Sequence, residues 1–263
     1  MSRVPPWLCA VGSLALVFDS AGAQDTPQAF SYATYFECDP NREQRADAIM
    51  RQTFFPIFDR HVAAKHLAGW GWLAHNFGGH WRRSNFMVAR SMDAVLDAQS
   101  AVLQDMQARK KEFAELSSIC PRHEDYVWHR VTSSRRAGDA PPPPSSARLG
   151  IYFECDIARE SRVDTLVIQA LGPIWSRQVK AEGLNAWSWH EHVIGGPYRR
   201  LLLLDGGTHK AVLRSLEAFL AESAKERPAE GNEFGQICHS HQDYLWDIQT
   251  PRRARAAADS VRD

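Results

Sequence analysis

The chain lacks a net charge: over its 263 residues, 31 Lys and Arg are balanced by 31 Asp and Glu. No field of one sign is available to hold nucleic acid, an anionic membrane surface or a strongly charged substrate by electrostatics alone. It also lacks a long apolar run. The longest, Trp7 to Phe18, is 12 residues, too short to cross a bilayer as a helix. A glycine-rich phosphate loop, a nucleophile elbow and paired carboxylates at recognisable spacing are missing as well, so nothing supports nucleotide or hydrolase chemistry. Cysteine is sparse at five residues, whereas tryptophan, at nine, is abundant. Side chains of that size serve as core or as walls of an aromatic pocket.

At the N-terminus Arg3, the apolar run and the small residues Ser20-Ala21-Gly22-Ala23 before Gln24 read as a cleavable export signal over residues 1–23. Leu8 precedes Cys9, which does not suit a lipoprotein site. Cleavage would leave Cys38, Cys120, Cys155 and Cys238, an even number that favours disulfides in an exported chain. The expected location is secreted or periplasmic, with no membrane segment after cleavage.

The mature chain repeats itself. At an offset of 117, Tyr35-Phe36-Glu37-Cys38-Asp39 matches Tyr152-Phe153-Glu154-Cys155-Asp156, and without a gap through Arg83 and Arg200 there are 23 identities in 49 positions. They include Pro56/Pro173, Trp70/Trp187, Trp72/Trp189, His75/His192, Gly78-Gly79/Gly195-Gly196 and Arg82-Arg83/Arg199-Arg200. At offset 118 the match resumes with Cys120/Cys238, His123/His241 and Trp128/Trp246. This is the signature of an internal duplication. Repeats over 30–131 and 149–249 are then separated by a proline-rich linker, 132–148, containing Pro141 to Pro144, and followed by a disordered tail, 250–263.

Each repeat reads as a strand ending at its cysteine, a helix interrupted at the matched proline, a Gly-Gly hairpin, a second helix capped by Ser91 or Thr208, and a last strand. That order, β-α-β-β-α-β, is the ferredoxin-like arrangement, an α+β fold. Right-handed crossovers place the last strand beside the first and antiparallel to it. The cysteines then meet as Cys38–Cys120 and Cys155–Cys238. Each bridge closes a loop of about 80 residues and contributes roughly 4 kcal/mol in the chain-entropy model. Cys120-x-x-His123 and Cys238-x-x-His241 could alternatively belong to Cys-Cys-His metal sites; export and even parity favour the bridges.

With this element order and proline-containing first helix, the chain resembles a tandem member of the dimeric α/β-barrel superfamily, nearest to its NIPSNAP-like, EthD-like and antibiotic-biosynthesis-monooxygenase-like groups. The resemblance implies that the two ferredoxin-like repeats pack as one intramolecular α/β barrel, a monomer with pseudo-twofold symmetry. It also brings haem into view, since the superfamily includes chlorite dismutases, although no residue pattern here identifies an axial ligand.

Strand two carries the most chemistry. Its period of two puts Trp70, Trp72, Trp187 and Trp189 on one face, with Glu191 in the second repeat, and His75, His190 and His192 on the other. One reading is an aromatic pocket completed by Arg82 or Arg199 as anion binder, with His75 or His192 moving a proton. The other makes the tryptophans interface core and the arginines a solvated strand end. His190 and His192 have a spacing able to share a metal, yet two histidines make a weak metal signal, so no cofactor is expected and a metal or haem there is left open. Three functions follow: an exported binder of a small, partly apolar ligand, a cofactor-free monooxygenase- or isomerase-like enzyme, or a protein-interaction module. Copy two, with His190 and Glu191 where copy one has Leu73 and Ala74, is where a one-sided site is expected.

Overall fold

The computed structural model describes residues 29–136, 144–181 and 183–250. The first half runs β1 (Phe30–Glu37), α1 (Glu43–Ile49), a π-helical turn (Met50–Phe54), α2 (Phe55–Ala63), β2 (Gly69–Gly78), β3 (Arg83–Ala89), α3 (Met92–Gln107), α4 (Lys110–Ile119) and β4 (Arg122–Arg135). The second half repeats the order: β5 (Ala147–Cys155), α5 (Glu160–Leu166), a π-helical turn (Val167–Leu171), α6 (Gly172–Lys180), β6 (Ala186–Ile194), β7 (Arg200–Gly206), α7 (His209–Glu226), α8 (Pro228–Ile237) and β8 (Cys238–Ile248). All eight strands form one closed antiparallel barrel in the order β1-β3-β2-β8-β5-β7-β6-β4. The expected pairing of first with last strand is present in both halves, and β2–β8 and β4–β6 join them. Closure removes every sheet edge.

Joining the halves explains where the elements outrun their sequence signals. Thr132 to Arg135, read as linker, continue β4 because they pair with Trp189 to Ala186 of β6. Ala147 and Arg148 likewise belong to β5. Thr250, read as tail, is buried, and its hydroxyl accepts from the Trp72 backbone N–H at 2.7 Å. The export signal, the prolines Pro141 to Pro143 and residues 251–263 lie outside the described residues.

Each proline does break its helix as expected, by a specific device: a π-helical turn directly before Phe55 and Gly172, so that Pro56 and Pro173 stand in the first turn of α2 and α6, where the missing N–H costs little. Ser91 and Thr208 cap α3 and α7 through the N–H groups of Ala94 and Ala211. The second helix of the first half, whose apolar spacing extends to about Leu116, stops at Gln107, whereas that of the second half runs to Glu226, in line with its spacing to about Lys225. The short helices α4 and α8 then lead back to the cysteines. Both disulfides form as expected, Cys38–Cys120 and Cys155–Cys238. Among the described residues, no helix is long and apolar enough to cross a membrane.

Candidate functional site

Strand-two parity sorts its residues correctly, but the tryptophan face is not the lumen. Trp70, Trp72, Trp187 and Trp189 are buried beneath the helices. Their indole N–H groups donate to Asp59, Asp47, Ser176 and Asp164, at 3.0, 2.8, 3.1 and 2.8 Å. A buried indole needs such a partner, and the first helix supplies it. The arginines follow the same logic. Arg83 and Arg200 are buried in two-pronged pairs with Asp47 and Asp164. Arg82 and Arg199, expected to bind an anion, are held by Glu43 and Glu160, with Nε to carboxylate distances of 2.5 and 2.6 Å.

His75 and His192 are part of this framework. Each accepts at Nδ1 from Arg82 or Arg199, at 2.8 Å. Burial first, and those guanidiniums beside them, hold both imidazoles below their ordinary pKa. Neither lines the open end of the barrel lumen or the sheet–helix pocket of the second half. Glu191 bonds to His129 Nδ1 at 2.6 Å on the barrel's outer face.

Two cavities stand out among the described residues. The larger, about 320 Å³, lies between the second half's sheet and its helices, walled by Phe153, Trp175, Trp189, Phe219 and Phe234. Ser223 and Gly231 line it, and a Cβ added at Gly231 would meet nothing within 4 Å. At the matched positions the first half has Met106 and Phe113, both packed against its core. One half therefore fills with its own side chains a space that the other leaves open. At the rim, His241 Nδ1 and Asp243 Oδ1 are 2.9 Å apart. These residues lie within β8, not in a turn before it, and His241 is half-exposed.

The smaller cavity, about 170 Å³, is the open end of the barrel lumen. The opposite end is plugged by aromatics: Trp81 stacks on Tyr35 and Tyr244 at 4.2 and 4.7 Å, and Tyr126 on Trp128 at 5.0 Å. His190 reaches this lumen, with Nε2 2.8 Å from Ser188 Oγ. Burial, then the charges of Arg130 and Arg148, push its pKa down to about 3, so it is neutral at pH 7. His190 and His192 do not make a metal site: Arg199 occupies His192 Nδ1, and among the described residues no group of three or more His, Cys, Asp or Glu is placed to hold an ion. Nor does a porphyrin fit at His190, in a lumen smaller than ordinary ligand pockets of roughly 300–1,000 Å³.

The lumen aromatics were missed in the sequence although their signal was present: Tyr35/Tyr152, Trp81/Tyr198, Tyr126/Tyr244 and Trp128/Trp246 stand at matched positions of the repeat. Matching alone does not mark them as lumen residues, and strand two holds the denser aromatic cluster.

No protein-family model matches the chain, and no curated protein does. Solved structures share its fold. A monooxygenase-like protein from Lactobacillus acidophilus is 11% identical over 85% of this chain and 95% of its own, with a TM-score of 0.54. An anthrone oxidase-like protein is 12% identical over 86% and 93%, with a TM-score of 0.55. A second monooxygenase-like protein, from Fusobacterium nucleatum, is 7% identical over 85% and 93%, with a TM-score of 0.56. The chain thus has the fold of the dimeric α+β barrels, with both barrel halves in one polypeptide.

Proposed function

We propose that this is an exported protein, arisen by internal duplication, that binds a small, partly apolar ligand in the sheet–helix pocket of its second half. One observation carries the reading: Phe113 and Met106, which fill this space in the first half, are Gly231 and Ser223 in the second. An empty apolar space of this size costs stability, so retaining it needs a reason, and an aromatic ligand replaces the missing phenyl group. The rim pair His241 and Asp243 offers a hydrogen bond to a hydroxyl on that ligand. Titration with 4-fluorophenol, followed by fluorine NMR, should show saturable binding that is lost at least tenfold in Gly231→Phe/Ser223→Met. That variant restores the first half's packing and should melt higher. Unchanged binding in the filled variant would overturn the proposal.

A second reading, an oxygenase, is favoured by the same rim pair. Asp243 orients His241 as a base beside the pocket, whereas His75 and His192 already accept from arginines. The monooxygenase-like names of the fold neighbours agree with it but establish fold alone. Turnover that disappears in His241→Gln while 4-fluorophenol still binds would select this reading.

A further inference from the structure

The barrel lumen breaks the molecule's own symmetry. Across β1 and β3 the register pairs Ser31 with Val88; across β5 and β7 the matched pair is Arg148 with Asp205. Across β2 and β3 it pairs Leu73 with Ser84; across β6 and β7 the match is His190 with Leu201. Gly71 corresponds to Ser188. Arg148, Asp205 and His190 therefore gather on one wall, on the neighbouring strands β5, β7 and β6, where the first half has only the hydroxyls of Ser31 and Ser84, and β4 adds Arg130 opposite His190.

Stability does not account for this wall. A buried ion pair is often no better than apolar residues of similar volume, and the first half builds the same wall without one. Asp205 instead fixes the guanidinium: Nε and Nη2 of Arg148 donate to its two oxygens at 2.6 and 2.8 Å. The group reaches across the lumen to lie 5.0 Å over the Phe86 ring of the first half. Two of its five N–H donors are engaged by Asp205, leaving Nη1 for another acceptor. His190 is 8% exposed, and its Nδ1 is buried with no hydrogen-bond partner. The rest of the lining is mixed: Ala33, Leu73, Trp128 and Leu203 supply apolar surface, beside the hydroxyls of Ser31 and Ser84.

We propose that the lumen is a second ligand site, separate from the sheet–helix pocket, and that it takes a small monocarboxylate with an apolar tail about the size of one benzene ring. The carboxylate accepts from Arg148 Nη1 and bonds to His190 Nδ1, and the tail lies between Trp128 and Phe86. The cavity, at about 170 Å³, has room for a tail of that size.

The test uses sodium benzoate with the full chain at pH 7, by isothermal titration calorimetry and by NMR of the His190 ring nitrogens. Wild type should bind one equivalent and shift the His190 resonances. Two variants graft the first half's wall onto the second, His190→Leu and Arg148→Ser/Asp205→Val, and so use side chains this barrel already accommodates. Each should weaken binding at least tenfold, while Gly231→Phe, in the other pocket, should leave it unchanged. No binding by wild type, equal binding by wild type and His190→Leu, or His190 resonances that stay still at saturation would each overturn the proposal. Loss of benzoate binding in Gly231→Phe alone would place the ligand in the sheet–helix pocket and overturn it too.

Discussion

Replacing Asp164 by Ala tests whether the framework under strand two is as tightly coupled as its geometry implies. Arg200 is 2% exposed, and Asp164 accepts from its Nε and Nη2 at 2.8 and 2.7 Å and from Trp189 Nε1 at 2.8 Å. Removing one partner of a buried ion pair costs about 3–5 kcal/mol, and an orphaned indole N–H about 1–3 kcal/mol more. Glu160 Oε2 remains 3.3 Å from Arg200 Nη1 and keeps part of the charge compensated. The expected loss is therefore near the lower bound, about 3–4 kcal/mol, or roughly 6–16 °C in Tm at about 2–4 °C per kcal/mol. Urea unfolding followed by circular dichroism, with disulfides intact, measures it. Asp164→Ala/Arg200→Met should recover much of the loss, because the uncompensated charge goes. A cost below about 1 kcal/mol for Asp164→Ala would refute the reasoning.

Acid should destabilise the fold through His190. Its folded pKa is below the unfolded one, so unfolding takes up a proton and stability falls as pH drops from about 6.5 towards 3, by up to about 1.4 kcal/mol per pH unit. The groups that set this are the burial itself, Arg130, Arg148 and His129, with Ser188 bonded to the ring. In urea melts at pH 6.5 and 4.5, His190→Leu should show a flatter response than wild type, and equal slopes would refute the assignment. Cys155→Ser/Cys238→Ser opens a loop with a sequence separation of 83 and should cost about 4 kcal/mol in the chain-entropy model, read as a lower urea midpoint; an unchanged midpoint would count against it. Gly195 has φ +141°, and a Cβ there would stand 2.5 Å from Tyr126 Cδ1, so Gly195→Ala should lose about 2 kcal/mol or more, and a neutral result in the same assay would show that the hairpin relaxes.

Fold and bridges were legible in the sequence because both depend on order along the chain. Capping residues, matched prolines and Gly-Gly turns delimit the elements locally, and the β-α-β-β-α-β order then brings each cysteine pair together. The site was harder to read for a definite reason. Period-two alternation separates Trp187 and Trp189 from His190 and His192, but it does not say which face looks into the barrel; that depends on β4 and β8 closing on the other half. The partners of the arginines and of Trp72 and Trp189 are nonetheless written in both repeats as Glu43-x-x-x-Asp47 and Glu160-x-x-x-Asp164, acids four apart on one helix face. Two acids facing the two adjacent arginines and a tryptophan already balance, so neither Arg82 nor Arg199 was left over for a ligand. The more informative comparison is between the halves. Residues matched in both, such as Trp72 and Trp189 or His75 and His192, serve the framework. The open pocket and the polar lumen wall arise where the match fails: Phe113 against Gly231, Leu73 against His190, and Val88 against Asp205. A chain that carries both halves of a barrel can change one wall without the other, and a ligand site needs only one.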